Sequence, residues 1–382
     1  MVNQTTVSRN QDIITNNDDL ETLHTYKKFP VFMGCVEHDI SEDIFEDMRW
    51  QISKSSGMVQ LNPLIPLEIL YKDGHGSGTT GNLWKMHHEE FSKFIQENSH
   101  PKNVFEIGGY HGILAKTYFE TFGELSWTII DPNPQILGNV SVKIIKGFFN
   151  DKLKTNQTYD ALIHSCVLEH IYNPFEFLKH ISEFMNEESF MMFSVPNMEV
   201  MLKKKYLNCL NFEHTMFITE PYIDFLLSTH GFIQTKKSYF MDDHSIFYCV
   251  KKTRNKIITH LPSNLYETNK LIFMNYVKYY IDYIQQLNEA IKSIHTPIYL
   301  FGAHIFSQFL ISNGLDTSKI VSVLDNDTRK QGRRLYGTPF RIESPTVLSN
   351  IESPTVILKT GHYDEEIKLD IYKNVNASVK FL

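Results

Sequence analysis

The chain of 382 residues is longer than one average hydrophobic core, so its length predicts two or three domains. Its hydrophobic fraction of 42% and its charged fraction of 21% are those of an ordinary globular protein. A net charge of -7 gives no basic footprint, and no apolar stretch is as long as a membrane span, so we expect neither nucleic acid nor a membrane as a partner. The first twenty residues lack the apolar run of a signal peptide, and the expected location is cytoplasmic.

The N-terminal part of the chain divides into two segments. Residues 1–25 have the polar composition of a flexible arm, and residues 26–82 form a predicted cap. Cys35 and His38 have half of a metal-site spacing, but serines stand where the remaining ligands would be needed. The four cysteines of the chain form no C-x-x-C pair, so the sequence predicts a cap without zinc.

A β-turn-α-β pattern opens the next segment, which we place at residues 83–253. An apolar strand leads into the glycine-containing turn at 108–112, and a second strand ends on Asp131. Glycines allow close approach of a ligand to the backbone, and an acid after the second strand can accept both hydroxyls of a ribose. Tyr110 stands where a pyrophosphate-binding fingerprint has its second glycine. S-adenosylmethionine (SAM), a nucleoside cofactor without pyrophosphate, therefore fits this turn better than NAD.

The remainder of this segment alternates strand and helix patterns. We predict three further strands, at 142–145, 159–165 and 190–195, and two helices, one that begins near Pro174 and one at 220–230. A closing antiparallel pair of strands is predicted at 232–239 and 245–251. Such alternation is typical of a parallel sheet with an antiparallel edge, which is an α/β fold.

Residues 254–382 repeat the opening theme. A predicted helix over 264–294 precedes a strand that ends at Gly302, and a later strand ends on Asp325. Gly302 and Asp325 are 23 positions apart (325 minus 302), as are Gly108 and Asp131 (131 minus 108). The chain is therefore predicted to carry a second Rossmann-like core. Since this core has fewer glycines, we expect it to shape a substrate site rather than to hold a second dinucleotide.

Three motifs resemble those of class I SAM-dependent methyltransferases: E-I-G-G-Y-H-G at 106–112, I-I-D-P-N-P at 129–134 and S-C-V-L-E-H-I-Y-N-P at 165–174. The resemblance implies a Rossmann-like SAM methyltransferase core with a small N-terminal cap and a second, C-terminal Rossmann-like domain.

Further stretches resemble a narrower family, the sugar C-methyltransferases of nucleotide-sugar pathways. They are N-F-E-H-T-M-F-I-T at 211–219, D-D-H-S-I-F-Y-C-V at 242–250, Y-L-F-G-A at 299–303 and V-L-D-N-D-T-R-K-Q-G-R-R-L-Y-G-T-P at 323–339. Members of that family carry four zinc-binding cysteines near the N-terminus, of which this chain keeps at most Cys35. In the catalytic segment Asn211 replaces a tyrosine and Phe212 replaces a histidine, whereas Glu213 and His214 remain. These departures leave the acceptor atom open.

The predicted cofactor-binding residues are those of the turn and of the acid after the second strand: Glu106, Gly108, Gly109, Gly112, Asp131 and Pro132. Asp131 is expected on the ribose. Glu106 has two readings, since it either organises the turn or contacts the ammonium group of SAM.

Three residues are the predicted catalytic candidates: His214, Glu213 and His170. His214 is the expected general base, because an imidazole titrates near neutrality. Glu213 is expected to orient it or to contact the substrate. The alternative is that this pair caps the helix beginning near Glu220. For His170 and its neighbour Glu169, a catalytic and a structural role weigh equally.

The predicted substrate-binding residues are Asn211, His244, Arg329 and Lys330. The two cations, with Arg333 and Arg334, either clamp a phosphate or form a solvated face. His87 and His88 are expected at the surface or in a lid, and the Gly/Ser-rich loop at 74–81 is either that lid or a plain connection.

The favoured function is SAM-dependent methyl transfer to a sugar, nucleotide-linked, in a surface-glycan or related pathway. The alternatives are O- or N-methylation of another small polar or phosphorylated metabolite, and a degenerate methyltransferase fold that acts as a binding subunit. An NAD-dependent oxidoreductase is disfavoured, because the turn after Gly302 lacks the later glycines. The sequence indicates no oligomeric state.

Overall fold

The computed structural model describes residues 6–72, 81–155, 157–254 and 257–382. Apart from Gly81, the predicted Gly/Ser-rich loop at 74–81 lies outside these residues. None of the helices in the described ranges has the length and apolarity that a transmembrane span needs.

The strands of the described residues are, in chain order, β1 Leu20–Pro30, β2 Cys35–Val36, β3 Phe45–Ser53, β4 Val59–Leu61, β5 Asn103–Ile107, β6 Ser126–Asp131, β7 Lys143–Lys146, β8 Ala161–Ser165, β9 Phe190–Pro196, β10 Phe232–Phe240, β11 Ser245–Lys252, β12 Ile298–Phe301, β13 Ile320–Leu324, β14 Arg334–Leu335, β15 Ile342–Glu343, β16 Thr355–Leu358 and β17 Lys380–Phe381. The α-helices are α1 Leu67–Leu70, α2 Asn82–Ser99, α3 Ile113–Phe122, α4 Pro174–Phe184, α5 Met198–Lys203, α6 Glu220–Thr229, α7 Leu265–Ser293, α8 Ile305–Ser312 and α9 Asp364–Asp370. Short 3₁₀ turns lie at Ile40–Glu42, Leu168–His170, Leu207–Cys209, Pro345–Asn350 and Gly361–Tyr363, and a π-helical turn lies at Ile371–Val375.

The chain forms two compact units. Unit 1 comprises Met1–Ser77, Met201–His214 and Asn264–Leu382, and unit 2 comprises Gly78–Val200 and Thr215–Ser263. The segments expected as a cap and as a C-terminal domain thus fall in one unit, together with an excursion from the middle of the chain.

The described part of the expected flexible arm, residues 6–25, has defined structure. Its last residues are the first part of β1. Further upstream Asp12 is fully buried, and its carboxylate accepts hydrogen bonds from the backbone amides of Ile14 and Thr15. A carboxylate that closes such a turn on its own backbone gives order to a polar segment whose composition predicts none.

Unit 2 contains a seven-stranded sheet in the order β10-β11-β9-β8-β5-β6-β7. Strands β5 to β9 are parallel, and the predicted closing pair, β10 and β11, is antiparallel. The central strands β5 and β8 are almost continuously buried, as a parallel sheet with both faces covered requires. The predicted α/β, Rossmann-like fold is confirmed.

One edge of this sheet carries the predicted cofactor-binding residues. The carboxyl ends of β5, β6, β8 and β9 meet there, because parallel strands all end at the same edge. Strand β11 begins at the same edge, since Ser245 pairs with Pro196 at the end of β9. We call this edge the cofactor edge.

Unit 1 contains the predicted second Rossmann-like core. Its five strands have the order β15-β13-β12-β16-β17, and the pairs that involve β12 and β16 are parallel. The unit also holds an antiparallel sheet, β1-β3-β4. The helical period of 264–294 predicts an apolar stripe of Ile272, Tyr276, Tyr279, Tyr280, Ile284 and Leu287. Helix α7 buries all of these side chains except Tyr279, which is half-buried.

A buried ion pair joins the first and last thirds of the sequence within unit 1. The Arg334 guanidinium donates both Nη groups to the Asp43 carboxylate, each at 2.7 Å. The amide of Gly337 donates to the same carboxylate, and the carbonyl of His38 accepts from the guanidinium. The Asp43 side chain is fully buried and that of Arg334 is 11% exposed.

We expect Asp43→Ala to lower the free energy of unfolding by about 3–5 kcal/mol, because it leaves the buried guanidinium without its carboxylate. Asp282→Ala is the matched control, since it removes an exposed partner of Lys278 in the same unit and costs about 0.5 kcal/mol or less. Chemical denaturation of both variants measures the difference, and equal stabilities would contradict the structural role of the buried pair.

Candidate functional site

The turn between β5 and α3 requires glycine at several positions. Gly108 and Gly112 have φ angles of +77° and +69°, which side chains other than glycine seldom adopt. At Gly109 the limit is space, since a Cβ there would lie 2.7 Å from Ile129 Cγ2 and 2.8 Å from Glu106 Cδ. The backbone of the turn is therefore fixed by its own residues and by the strands beneath it.

The Asp131 carboxylate closes this turn. Its Oδ2 accepts a hydrogen bond from the Tyr110 amide at 3.1 Å, and its Oδ1 accepts one from the Asn133 amide at 2.8 Å. The Gly108 amide donates to the Ile130 carbonyl at 2.9 Å. Asp131 is thereby held at the tip of β6, with Pro132 half-buried after it.

Glu106 lies beneath the same turn. Its side chain is 3% exposed, and its Oε2 accepts a hydrogen bond of 2.7 Å from the Trp127 indole. Burial raises the pKa of this carboxyl to about 7, the Trp127 bond opposes the rise and the charge of Asp131 adds to it. The carboxyl packs against Gly109, which favours the reading that Glu106 organises the turn.

The electrostatics of the turn fit SAM better than a dinucleotide. The Asp131 carboxylate lies at its rim, and Glu106 lies beneath it with a pKa of about 7, so that near neutral pH Glu106 carries only part of a negative charge. A sulfonium and an ammonium are attracted by such a site, whereas a pyrophosphate is repelled. The residues that would hold the cofactor are the glycines of the turn together with these two acids.

The next strand end along the cofactor edge belongs to β8. Cys166 has a φ of +53° there and donates its amide to the Ser194 carbonyl at 2.9 Å. Glu169 is 1% exposed, and its Oε1 lies 3.8 Å from His170 Nε2. The Glu169 carbonyl accepts from the Thr215 amide at 3.0 Å. His170 therefore lies at the cofactor edge, and its two predicted roles, catalytic and structural, keep equal weight.

The segment that resembles a catalytic motif is folded by Asn211. The Asn211 side-chain oxygen accepts hydrogen bonds from the amides of Glu213 and His214, each at 2.8 Å. His214 Nδ1 lies 2.9 Å from the Cys209 carbonyl. Since a carbonyl only accepts, Nδ1 carries the proton and Nε2 carries the lone pair of the neutral ring. The alternative prediction is that Glu213 and His214 cap helix α6. The N-cap of that helix is Thr219, and the hydrogen bonds of Glu213 and His214 given above are made with residues 209–211.

The expectation that His87 and His88 lie at the surface is wrong. They are 0% and 8% exposed, on the helix face that also buries Leu83 and Phe91. The spacing 83, 87, 91 is the helical period, so the sequence carried a signal for the burial of His87. Burial lowers the pKa of both rings, that of His88 to about 4, and both are neutral near pH 7.

His87 and His244 lie together at the β9–β11 end of the cofactor edge. His87 Nε2 is 2.9 Å from the Ser194 hydroxyl, and His244 Nδ1 is 2.7 Å from the Ser245 hydroxyl. The two rings are 5.5 Å apart, and the Trp84 ring packs against each of them. The predicted substrate residue His244 is thus part of a buried aromatic cluster in unit 2.

The second Rossmann-like core repeats the carboxylate arrangement of the first. Asp325 Oδ2 accepts from the Ala303 amide and Oδ1 accepts from the Asp327 amide, both at 2.9 Å. Here Lys330 Nζ also donates to Asp325 Oδ2 at 2.9 Å, and the Arg329 guanidinium pairs with Asp327. Both predicted phosphate-binding cations therefore have carboxylate partners.

The residues considered for zinc have other surroundings. Burial raises the pKa of the Cys35 thiol to about 12, and its Sγ lies 3.5 Å from the Ala303 carbonyl. The Ser53 hydroxyl donates to Asp19. A cysteine binds zinc as its thiolate, which a raised pKa disfavours. A cap without zinc stays a prediction.

A comparison of the chain with models of protein families gives one match. Residues 83–236 match the family model described as "Methyltransferase domain". The match covers less than half of the chain, and the predicted enzyme class, a SAM-dependent methyltransferase, and its cofactor are confirmed. No curated protein matches the sequence of this chain.

Several solved structures are similar to part of the chain. The plantazolicin methyltransferase BpumL in complex with SAH is 14% identical, with 44% of this chain and 84% of that chain covered and a TM-score of 0.37. Human N-acetylserotonin methyltransferase in complex with SAM is 16% identical, with 45% and 55% covered and a TM-score of 0.37. The mitomycin 7-O-methyltransferase MmcR is 14% identical, with 45% and 55% covered and a TM-score of 0.36. At these values none of the three indicates a substrate.

We expect Asp131→Ala to weaken SAM binding by at least about tenfold, because one hydrogen bond to a charged acceptor contributes about 1.5–3 kcal/mol. Asp325→Ala is the matched control, since Asp325 holds the equivalent turn of the other core in the same way. Calorimetry with SAM on both folded variants tests this. An unchanged affinity in Asp131→Ala, or an equal loss in the control, would refute the assignment.

We expect Glu106 to make folding less favourable as pH rises from 4.5, its ordinary pKa, to about 7. Over this range the native state keeps a proton that the unfolded chain has lost, so the free energy of unfolding falls with pH. Relative to Glu106→Gln, the wild type should lose on the order of 1–3 kcal/mol across this range. Urea denaturation of both proteins at several pH values measures the difference, which a non-titrating carboxyl would leave constant.

Proposed function

We propose that the protein transfers the methyl group of SAM to a sugar that is linked to a nucleotide, and that His214 acts as the general base. The observation that carries this proposal is the hydrogen bond between His214 Nδ1 and the Cys209 carbonyl. It fixes the tautomer in which Nε2 accepts a proton, within the segment that resembles the catalytic motif of sugar C-methyltransferases.

The residues of the chain divide the work between positioning and proton transfer. Asp131 binds the ribose hydroxyls, and the glycine turn packs against the rest of the cofactor. When bound, SAM supplies a methyl group activated by its sulfonium. His214 removes the proton of the acceptor, and Glu213, which is 2% exposed beside it, orients the ring or the substrate.

The acceptor atom has two candidates. Carbon comes first through the resemblance. Oxygen is favoured by the surroundings of the segment, because Asn211 is engaged in the turn and Phe212 is buried against Phe29. Neither residue offers the group that a tyrosine or histidine would offer to an enolate, whereas a single base is sufficient for a hydroxyl.

A methyl-transfer assay against a panel of nucleotide sugars, with mass detection of the product, tests the proposal. Transfer to carbon through an enolate exchanges the acceptor C–H with deuterated water, and transfer to oxygen does not. A product only from sugars without a nucleotide would overturn the nucleotide link. A product only from non-sugar acceptors would overturn the sugar assignment and favour the alternative metabolite.

We expect His214→Ala to lower turnover by about 10²–10⁴-fold, the usual contribution of a general base, while SAM affinity stays unchanged. His170→Ala and His244→Ala are the matched comparisons, because each removes an imidazole placed at the cofactor edge. Turnover and SAM binding are measured for all three variants. Near-normal turnover of His214→Ala would exclude it as the base, and the variant with the large loss would identify the replacement.

A further inference from the structure

The sheet of unit 1 has a position at which ligands of α/β proteins bind. Strand β12 is flanked by β13 on one side and by β16 on the other, so the strand order changes direction at β12. Ligands bind in the crevice outside the carboxyl ends of two such strands. The residues that follow these strands are 302–304 and 359–361.

The glycine turn after β12 is closely packed by neighbouring side chains. A Cβ at Gly302 would lie 3.0 Å from Thr360 Cγ2 and 3.3 Å from the Phe306 side chain. The acid of this core, Asp325, already pairs with Lys330. The candidate ligand-binding groups of this core therefore lie on the other side of β12, after β16.

Two lysines beside that strand end have no carboxylate partner in the described part of the chain. Lys359 follows β16 directly, and its Nζ lies 5.2 Å and 5.4 Å from the ring centroids of Tyr279 and Tyr283. Lys205 is partly buried with a φ of +64°, and burial lowers its pKa. The neighbouring carboxylate of Asp364 accepts from the amide and hydroxyl of Thr360. Unpaired, partly desolvated ammonium groups favour an anionic partner.

A chain of contacts connects the rings under Lys359 with the backbone of Lys205. The Tyr280 hydroxyl donates to the Lys205 carbonyl, and the Tyr280 ring lies 5.1 Å from that of Tyr279. On the other side the Tyr206 ring lies 4.3 Å from His362, next to Gly361, where a Cβ would come within 3.0 Å of that ring. The surface is the lysine–tyrosine patch, defined by Lys205, Tyr206, Tyr279, Tyr283, Lys359 and His362.

We propose that the lysine–tyrosine patch binds a ligand that combines phosphate with a ring, of the nucleoside diphosphate class. The two ammonium groups bind the phosphates, and the half-buried tyrosine rings pack against the base or the sugar. This site replaces Arg329 and Lys330, whose charges are paired, as the anion-binding part of unit 1. That this ligand is the nucleotide part of the methyl acceptor rests on the proposed function, but the binding itself does not.

Calorimetry of the full chain with pyrophosphate, UDP, ADP and GDP tests the proposal. We expect pyrophosphate and at least one nucleoside diphosphate to bind, and Lys359→Gln to weaken both by about 10- to 100-fold, the contribution of one charge-assisted hydrogen bond. Tyr279→Leu should weaken the nucleotide and leave pyrophosphate unchanged. Arg329→Gln, which removes a cation paired with Asp327, and Lys380→Gln, which removes an exposed lysine of β17, are the controls.

Three outcomes would overturn the site: no binding of any probe to the wild type, unchanged binding in a folded Lys359→Gln, or a larger loss in Arg329→Gln. Thermal unfolding shows that each variant is folded, and SAM affinity should be the same in all of them. A failure of the methyl-transfer proposal appears separately, as nucleotide binding that persists without turnover of any nucleotide sugar.

Discussion

One carboxylate at the end of the second strand holds each glycine turn of this protein. Asp131 and Asp325 each accept one amide from the turn before them and one amide from the residue two positions after them. In each core the first glycine also donates its amide to the carbonyl that precedes the acid. Without this carboxylate the amides of the turn would lose a charged acceptor, so the shape of each turn depends on it.

The periodic parts of the sequence predicted much of the fold. The spacing of 23 positions between glycine and acid located both cores, and the apolar runs located the strands, because buried parallel strands need apolar residues on both faces. The closing pair β10–β11 and the buried stripe of α7 followed from alternation and from the helical period. Each of these features depends on residues that are close together in the sequence, so it can be recognised from a single sequence.

Features that depend on distant partners were beyond the sequence. Arg334 pairs with Asp43 across 291 positions, and nothing in the basic run distinguishes it from Lys330, which pairs with a neighbour five positions away. The excursion 201–214 belongs to unit 1 although its flanks belong to unit 2. The role of Asn211 was equally hidden: as a replacement for tyrosine it suggested a substrate contact, whereas its side chain holds the amides of the segment.

The two cores share one backbone device but differ in charge, and the difference follows from a few side chains. The first turn is closed by the carboxylate of Asp131, whose charge suits a cofactor with a sulfonium and an ammonium. In the second core Lys330 neutralises the equivalent acid, and the unpaired ammonium of Lys359 stands after a neighbouring strand. With the proposed lysine–tyrosine patch as an anion site, the two cores would favour ligands of opposite charge, a cationic methyl donor in the first and an anionic ligand in the second. A few side chains around a shared backbone arrangement are thus sufficient to change the charge that each core attracts.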